Sequence, residues 1–378
     1  MRIFPISYGA PMCHAMTDIT PFDVKSHALK RSRYLLPELS PALVCYTSAM
    51  PRLPCIAVDL GGTHLRAAFF AGTSPTPLHR THHETPQTQD PAVVSNAIAS
   101  AIREVVPPGL DLSSATIVVG TPGPVDPFRG IVLSAPNIPA WHNLALRDWL
   151  GAQFPATIQI ANDANLAALG ELTFGAGRGV RELIYLTLGT GIGGAVITRG
   201  RLLLGMRGLA AELGHVTVDP NGPICSCGRR GHLEAIASGP AIARQARQRL
   251  AAGEPSSLAP LHSASPDLVT PEAIASAARD GDAFAIALLS ETGSILGRFV
   301  ADCLAVFAPE RIILGGGLMA LGGLLLDPLR RAAADHVMSS HYIEQVTITA
   351  AQLGDDAGLV GGLALSLNPD LQPVPMAA

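Results

Sequence analysis

The chain has 378 residues, of which 48% are hydrophobic and 15% are charged, and its formal net charge is −4. This length corresponds to about two domains of roughly 150 residues each, with enough apolar residues for a sizeable core. A weakly negative charge does not provide the basic surface that binds nucleic acid or anionic membranes, so neither partner is expected. The sequence also lacks the roughly 18 uninterrupted apolar residues of a membrane helix and the apolar core of a signal peptide.

The cysteines indicate the cellular compartment of the protein, and the lysines restrict the kinds of nucleotide site that it can contain. Of six cysteines only Cys225 and Cys227 are neighbours in sequence, and a chain of this size needs no disulfides, so we expect a reducing, cytoplasmic compartment. The two lysines, Lys25 and Lys30, precede the first predicted strand. A P-loop and a protein kinase both need a lysine beside the nucleotide. Any nucleotide site in residues 31–378 must therefore hold phosphates with backbone amides and a metal ion.

The chain order of elements predicts two α/β lobes behind an N-terminal extension. Residues 1–53 are proline-rich with little periodicity and are expected to be disordered or loosely packed. Beyond them, short apolar runs that end at glycine turns predict strands at 55–60, 65–70, 115–119, 157–160, 183–188, 193–198 and 311–314. Periodic segments predict helices at 91–106, 162–174, 240–251, 271–278, 283–304 and 356–367. In such folds ligands bind in a cleft, at strand ends and helix starts.

A carboxylate followed by a glycine turn stands at the end of the first predicted strand. Here Asp59 precedes Gly61, Gly62 and Thr63. Glycines let backbone N–H groups approach phosphate oxygens, Thr63 adds a hydroxyl, and Asp59 can hold a Mg²⁺-bound water. An ordinary hairpin turn has the same composition, so the motif alone leaves both interpretations open.

A second glycine-rich turn occupies residues 189–194. Its spacing matches G-x-G-x-x-G, the fingerprint of dinucleotide-binding folds, which must open a helix. Residues 195–198 are instead β-like. A second hairpin turn that cradles phosphate is therefore favoured over a dinucleotide site.

The segment 162–165 places Asp163 at a predicted helix start, beside Asn162 and Asn165. A positioned aspartate can accept the proton of a substrate hydroxyl as that hydroxyl attacks phosphorus. The same residue types also cap helices. On this motif alone, a base and a simple cap both remain possible.

The densest polar stretch lies between residues 212 and 234. It contains His215, Cys225, Cys227 and His232, which are the ligand types and the number for a tetrahedral structural Zn²⁺. An isolated Cys-x-Cys pair is often two small buried groups. The two flanking histidines favour a metal site.

Seven segments together resemble, in order, the ROK family of bacterial sugar kinases and related repressors. They are 59–63, 120–126, 162–165, 188–194, 212–215, 225–234 and 315–318. The resemblance extends from about residue 55 to the end of the chain. It implies an actin/hexokinase-like (ribonuclease H-like) fold whose two lobes close over a sugar and ATP. The expected lobes are 54–176 with 357–378, and 177–356, which would carry the zinc loop and the adenosine-binding loop.

The resemblance also implies roles for individual residues, with Asp163 as the catalytic base on the sugar 6-hydroxyl. The residues expected to hold the other sugar hydroxyls are Asn137, Asn162, Glu212, His215 and Glu234. The residues expected to contact the nucleotide or its metal are Asp59, Gly61, Gly62, Thr63, Thr190, Gly191, Gly315, Gly316 and Gly317. The expected zinc ligands are His215, Cys225, Cys227 and His232. The last of these stands where the family has a third cysteine.

The predicted reaction is phosphoryl transfer from ATP to the 6-hydroxyl of a hexose, first of all glucose. Mg²⁺ would be catalytic, Zn²⁺ structural, and the assembly a homodimer or homotetramer. An N-acetylated hexosamine, mannose or fructose is the alternative acceptor, and polyphosphate the alternative donor. Residues 1–49 are expected to be dispensable, with Met50 as a possible start.

Two other functional classes are disfavoured. A sugar-responsive repressor of the same family would carry an N-terminal winged helix-turn-helix, for which about 54 residues with seven prolines leave no room. A catalytically silent sugar sensor would not need Asp163 and every glycine turn.

Overall fold

The computed structural model describes residues 54–135, 138 and 141–372. The predicted extension 1–53 and the sugar-site candidate Asn137 lie outside the described residues. The strands of the described part are β1 (Cys55–Leu60), β2 (His64–Phe70), β3 (His79–Glu84), β4 (Thr116–Thr121), β5 (Val125–Asp126), β6 (Ile131–Ser134), β7 (His142–Leu144), β8 (Thr157–Asn162), β9 (Leu183–Leu188), β10 (Ile192–Thr198), β11 (Arg201–Leu202), β12 (Arg311–Gly315) and β13 (Thr347–Ala350). The α-helices are α1 (Pro91–Val105), α2 (Leu146–Gly151), α3 (Asp163–Phe174), α4 (Leu233–Ala237), α5 (Gly239–Ala251), α6 (Ala259–Ala264), α7 (Pro271–Arg279), α8 (Ala283–Phe307), α9 (Gly323–His336) and α10 (Ala357–Leu367).

Two sheets of the described chain repeat the same plan. The first has the order β3-β2-β1-β4-β8 and the second β11-β10-β9-β12-β13. In each sheet a hairpin joins the first two strands in sequence, β1–β2 and β9–β10, and two further strands add in parallel. This repeat explains the recurring strand, glycine turn, strand pattern of the sequence. A small sheet, β5-β6-β7, lies outside the two.

The cores form in three layers because alternate residues of a strand face opposite sides of its sheet. On β1, Ile56 and Val58 pack with α1 and α2, whereas Ala57 packs with α3, α10 and residues of the second sheet. The other face of the second sheet packs with α4, α5 and the helices from α7 to α9. Thus α3 and α10 lie in the layer shared by both sheets.

The close packing of α3 against α10 follows from their composition. Residues 164–171 of α3 are all buried, as expected of a helix without a polar face. A Cβ on Gly361 of α10 would lie 1.8 Å from the Leu166 carbonyl oxygen, so only glycine fits there. The two helices therefore bring β1 and β8 of the first sheet close to β9 and β10 of the second.

All predicted strands and helices occur, but several elements were not predicted. β3, with the sequence His-Arg-Thr-His-His-Glu, is an exposed edge strand without apolar alternation. α9 carries Pro328 inside the helix, a residue that normally signals a helix end. β13 has only four residues. Each of these elements is stabilised by its neighbours in the fold rather than by a strong local signal.

Helix α8 is the described helix whose length and composition would allow it to cross a membrane. It has 25 residues and contains an 18-residue stretch with a mean hydropathy of 1.4, of which 56% is buried within the protein. Its buried residues, among them Leu288, Leu296 and Leu304, belong to the core beside the second sheet. Core helices of soluble proteins can be equally long and apolar, so the packing of α8 in the core accounts for its apolar composition.

Candidate active site

Asp163 is the first residue of α3 and directly follows β8. The cap of this helix is Asn162, whose Oδ1 accepts a hydrogen bond from the Asn165 N–H at 3.1 Å. Asn162 Nδ2 donates to the Gly123 carbonyl at 3.1 Å, and Asp163 Oδ1 accepts from the Ala164 N–H at 2.8 Å. Because Asn162 caps the helix, the Asp163 carboxylate is available for another role.

The surroundings of Asp163 favour its protonated form more than water does. Burial, and then the negative charges of Asp59 and Glu212, raise the pKa of Asp163 to about 7. The hydrogen bond from the Ala164 N–H acts in the opposite direction. A carboxyl group with a pKa near neutrality can take and release a proton at working pH, which is the property of a general base.

Asp59 lies near the carboxyl end of β1 with its side chain against α10. Burial raises its pKa to about 6, although Arg66 lowers it; the Arg66 Nη1 and Asp59 Oδ2 atoms are 3.8 Å apart. A Cβ on Gly358 would lie 3.0 Å from the Asp59 carboxyl carbon. This carboxylate is thus placed by both a strand and the start of α10.

The turn after Asp59 is a hairpin, as predicted. The Gly61 N–H donates to the His64 carbonyl at 2.8 Å, and Thr85 binds the turn from outside. Its hydroxyl donates to the Gly61 carbonyl, and its N–H donates to the Thr63 carbonyl, both at 2.8 Å. Carbonyl groups are therefore used in holding the turn, which leaves N–H groups of residues 62 and 63 for a ligand.

The second glycine turn joins β9 to β10, so the prediction of a hairpin rather than a dinucleotide fingerprint is confirmed. The Gly189 N–H donates to the Gly191 carbonyl at 2.9 Å. The Ile192 N–H donates to Glu234 Oε2 at 3.1 Å, and a Cβ on Gly191 would lie 2.6 Å from that oxygen. The turn is thus fitted against Glu234.

A cavity of about 610 Å³ opens beside the second turn. Its lining residues are Gly189, Thr190, Gly239, Pro240, Ala243, Arg247, Thr270, Pro271, Glu272, Ala275, Arg279, Gly317, Leu318, Ala320 and Leu321. Of the residues that the sequence assigned to the nucleotide, only Thr190 and Gly317 are among them. Gly315 instead packs against Tyr185, and Gly316, at φ +85°, packs against the backbone of Leu188.

The remaining lining of this cavity was not predicted from the sequence. Most of it comes from the starts of α5 and α7, where Pro240 and Pro271 occupy the first helical turn. Proline at a helix start is a readable signal, but it says nothing about which helix starts face each other. Arg279 closes the far side by donating to the Ala320 carbonyl at 3.0 Å.

The four predicted metal ligands lie together. The donor atoms of His215, Cys225, Cys227 and His232 are all within 4.8 Å of one another. Cys225 Sγ lies 3.5 Å from His215 Nδ1, and Cys227 Sγ lies 3.2 Å from His232 Nδ1. Tetrahedral zinc with ordinary Zn–S and Zn–N bonds separates such atoms by about 3.5 Å. The residue set and its spacing therefore fit a structural zinc ion.

Glu234 connects this metal loop to the glycine turn of β9 and β10. Its Oε1 accepts a hydrogen bond from the Ser226 hydroxyl at 2.9 Å and lies 3.6 Å from Cys225 Sγ. Its other oxygen is the acceptor for Ile192 described above. Glu212 lies nearby, where burial and the charge of Glu234 raise its pKa while His215 lowers it. Glu234 thus links the candidate metal loop to the strand that follows the 189–191 turn.

The sequence model described as the ROK family matches residues 55–368. The chain belongs to the ROK family. A glucokinase of Thermotoga maritima is 39% identical over 84% of this chain and 98% of its own length. A solved ROK glucokinase of Streptomyces griseus, in complex with glucose and AMPPNP, is 36% identical, with a TM-score of 0.71 over 82% of this chain and 98% of that one. The predicted family and the actin/hexokinase-like fold are confirmed.

Two transcriptional regulators match this chain over less of their own length. A xylose repressor of Caldicellulosiruptor bescii is 32% identical over 67% of this chain and 62% of its own length. A solved ROK transcriptional regulator is 28% identical, with a TM-score of 0.74 over 84% of this chain and 78% of that one. The glucokinases of Thermotoga maritima and Streptomyces griseus each match over 98% of their own length.

Proposed function

We propose that this ROK protein is an ATP-dependent sugar kinase that phosphorylates glucose at the 6-hydroxyl. The observation that carries the proposal is Asp163, a carboxylate with a pKa near neutrality at the start of α3 and near Asp59. Its neighbour Ala164 lies against β10, where a Cβ on Gly193 would be 3.3 Å from the Ala164 Cβ. The nearly full-length similarity to glucokinases supports this choice over a repressor.

Asp163 would accept the proton of the 6-hydroxyl while that oxygen attacks the γ-phosphorus of ATP, and the bond from phosphorus to the β,γ-bridging oxygen would break. The N–H groups of the two glycine turns, 61–63 and 189–191, would bind phosphate oxygens. The adenosine end would occupy the 610 Å³ cavity next to Gly317. Asp59 would hold Mg²⁺, directly or through water, and the ion would neutralise charge on the phosphates.

The sugar would lie between Asp163 and the metal loop. The candidates for its hydroxyl groups are Asn162 at the start of α3, Glu212 and His215 at the two ends of one short turn, and Glu234 on α4. Asn137 is the fifth candidate. Each offers an oxygen or nitrogen for a sugar hydroxyl. Glucose is the first choice, with an N-acetylated hexosamine, mannose or fructose as alternatives that the described contacts do not distinguish.

Zn²⁺ is proposed as a structural ion held by His215, Cys225, Cys227 and His232. When bound it would fix the loop that orients His215 and Glu234, which is a form of preorganisation through neighbouring residues. Only 8% of the surface of His232 is exposed, which is more typical of a metal ligand than of a residue in a free loop. Metal analysis should give about one zinc per chain, as expected of a closed four-ligand site. His232→Ala should lower zinc content and raise the KM for sugar more than that for ATP.

His232→Cys provides the matched control because it restores the thiolate found in the family. It should keep the zinc and the sugar KM. Protein that is fully active without metal in this loop would refute the structural role.

The cellular setting follows from the same chemistry. The four described cysteines, Cys55, Cys225, Cys227 and Cys303, are free thiols, and thiolate ligands and ATP both suit a reducing cytoplasm. A homodimer or homotetramer is proposed on the family resemblance alone.

The deciding experiment measures ADP release with ATP and Mg²⁺ across glucose, mannose, fructose, N-acetylglucosamine and N-acetylmannosamine, and repeats it with polyphosphate as donor. The expected result is the highest kcat/KM with glucose and ATP, and glucose 6-phosphate as product. Absence of sugar-dependent ADP release from folded protein would refute the proposal. Higher kcat/KM with an N-acetylated sugar would replace the substrate and keep the reaction.

A further inference from the structure

The chain passes between the two sheets twice within the described residues. The first crossover, residues 175–182, leads from α3 to β9, and the second crossover, residues 351–356, leads from β13 to α10. Any change in the relative position of the two sheets must be absorbed in these two segments, since they are the covalent connections. If the two crossovers are held to each other, the groups on one sheet therefore keep a fixed position relative to the groups on the other sheet.

One carboxylate holds both crossovers. Glu171, near the end of α3, is completely buried. Its Oε2 accepts the Ala176 N–H of the first crossover at 2.7 Å. Its Oε1 accepts the Gln352 and Leu353 N–H groups of the second crossover at 2.9 and 2.8 Å. A buried ion that satisfies three backbone donors makes strong, charge-assisted hydrogen bonds.

The packing around Glu171 leaves little room for other arrangements. A Cβ on Gly175 would lie 2.2 Å from Glu171 Oε2, and the Gly175 and Gly177 N–H groups both donate to the Glu171 carbonyl. Arg311, on β12 of the second sheet, donates to the Ala176 carbonyl. Both backbone polar groups of Ala176 are therefore bound, one by each half of the molecule.

The proposed reacting groups are attached to these same elements. Asp163 lies eight residues before Glu171 on α3, a distance of about 12 Å along a rigid helix. The first crossover continues through β9 into the 189–191 turn, and the second enters α10, whose Gly358 abuts Asp59. Glu171 thus contacts the segments that carry the proposed base Asp163, the 189–191 turn and Asp59.

We infer that Glu171 is a positioning residue of the phosphoryl-transfer reaction, which couples the two crossovers and so fixes Asp163 relative to the 189–191 turn. This inference rests on the proposed function. Small errors in the placement of reacting groups are costly, so loss of the coupling should act on kcat more than on the binding of either substrate.

The test variant is Glu171→Gln, which keeps the side-chain volume but must turn an NH₂ group towards one set of backbone N–H groups. The matched control is Glu310→Gln. Glu310 is also a carboxylate that accepts two backbone N–H groups, from Arg181 at 2.7 Å and Glu182 at 3.0 Å. It is exposed and reaches the first crossover only.

Two quantities are measured, the kinetic constants and the hydrogen–deuterium exchange of both crossovers. Glu171→Gln should lower kcat by about ten- to a hundredfold, with both KM values within about threefold of wild type. It should also speed exchange in at least one crossover while the interiors of α8 and β1 stay protected. Glu310→Gln should leave kcat within about twofold and leave the second crossover unchanged.

Several outcomes overturn the inference. One is an unchanged kcat in Glu171→Gln, and another is an equal loss of kcat in Glu310→Gln. The third is faster exchange of Glu171→Gln throughout α8 and β1 as well, which would show general destabilisation. If Glu171→Gln does not fold, wild-type exchange decides. Coupled crossovers should open together, and a difference above about a hundredfold between the Ala176 and Leu353 amides would refute the coupling. Folded wild-type protein without kinase activity on any of the sugars tested refutes the proposed function instead, and the exchange data still report on the coupling.

Discussion

Replacing Asp163 with asparagine tests the proposed base with little structural change. The helix cap is Asn162, and the Ala164 N–H can bond to an asparagine Oδ1 as it does to the aspartate. The fold and sugar binding should therefore be retained. Removal of a general base should lower kcat by about 10²- to 10⁴-fold, since no neighbouring group replaces its proton affinity.

The pH dependence follows from the pKa of Asp163, which burial and nearby carboxylates raise to about 7. Only the ionised form accepts a proton, so activity should fall as the pH decreases. About half of the groups are ionised at pH 7 and about one in eleven at pH 6, which predicts a roughly fivefold fall in kcat/KM. The residual activity of Asp163→Asn should lack this dependence.

The same pKa predicts an effect on stability of known sign. The group titrates at about 7 in the folded state and has an ordinary value of 3.8. The folded state therefore binds the proton more tightly, and the associated stability is lost as the pH rises from about 4 to about 7. The asparagine in the Asp163→Asn variant does not titrate. The Tm of the variant minus that of wild type should therefore increase between about pH 4 and pH 7 and stay constant at higher pH.

The assay is discontinuous quantification of ADP over a range of glucose concentrations, with saturating ATP and Mg²⁺, between about pH 5.5 and 8.5. It gives kcat and kcat/KM at each pH and is paired with thermal melts. Asp282→Asn is the control. Asp282 also stands at a helix start, where it caps α8, and hydrogen bonds from backbone and serine groups lower its pKa to about 2. It should show wild-type kinetics. An Asp163→Asn enzyme within about tenfold of wild-type kcat would refute the assignment of the base, as would a flat wild-type profile down to about pH 5.5.

Three other changes have defined expectations. Asp59→Asn should raise the KM for Mg·ATP, because Asp59 is proposed to hold Mg²⁺. It should also move the acid limb of the pH profile to lower pH, because it removes a negative charge that raises the pKa of Asp163. An acid limb at the wild-type pH would contradict this. Gly191→Ala should raise the KM for glucose, because its Cβ would lie 2.6 Å from the Glu234 carboxylate. Gly189→Ala should leave the KM for glucose unchanged, because its Cβ would lie 4.0 Å from the Gly317 nitrogen, an ordinary contact. Equal effects of the two variants on this KM would refute the reasoning. Deletion of residues 1–49, which lie outside the described residues, should leave kcat/KM unchanged, and a stability loss above about 2 kcal/mol would show that they pack.

The sequence by itself determined the local parts of the site. Asn162 and Asp163 begin a helix because a capping residue follows an apolar strand. The β-like residues after Gly194 made the second glycine turn a hairpin rather than a dinucleotide fingerprint. The pair of histidines around Cys225 and Cys227 indicated one metal site. The helix start and the hairpin are confirmed, because backbone geometry is set by residues that are near each other in the chain. The metal site stays a prediction, supported by the proximity of its four candidate ligands.

Only the tertiary structure decided which distant residues meet. The cavity proposed for adenosine is lined by the starts of α5 and α7, and the predicted glycines 315 and 316 pack against Tyr185 and Leu188. The sequence assigned no role to Glu171, which accepts hydrogen bonds from backbone groups about 180 residues away. Such contacts depend on how α3 and α10 pack between the two sheets. That packing comes from the shapes of whole buried faces, which no short sequence segment encodes.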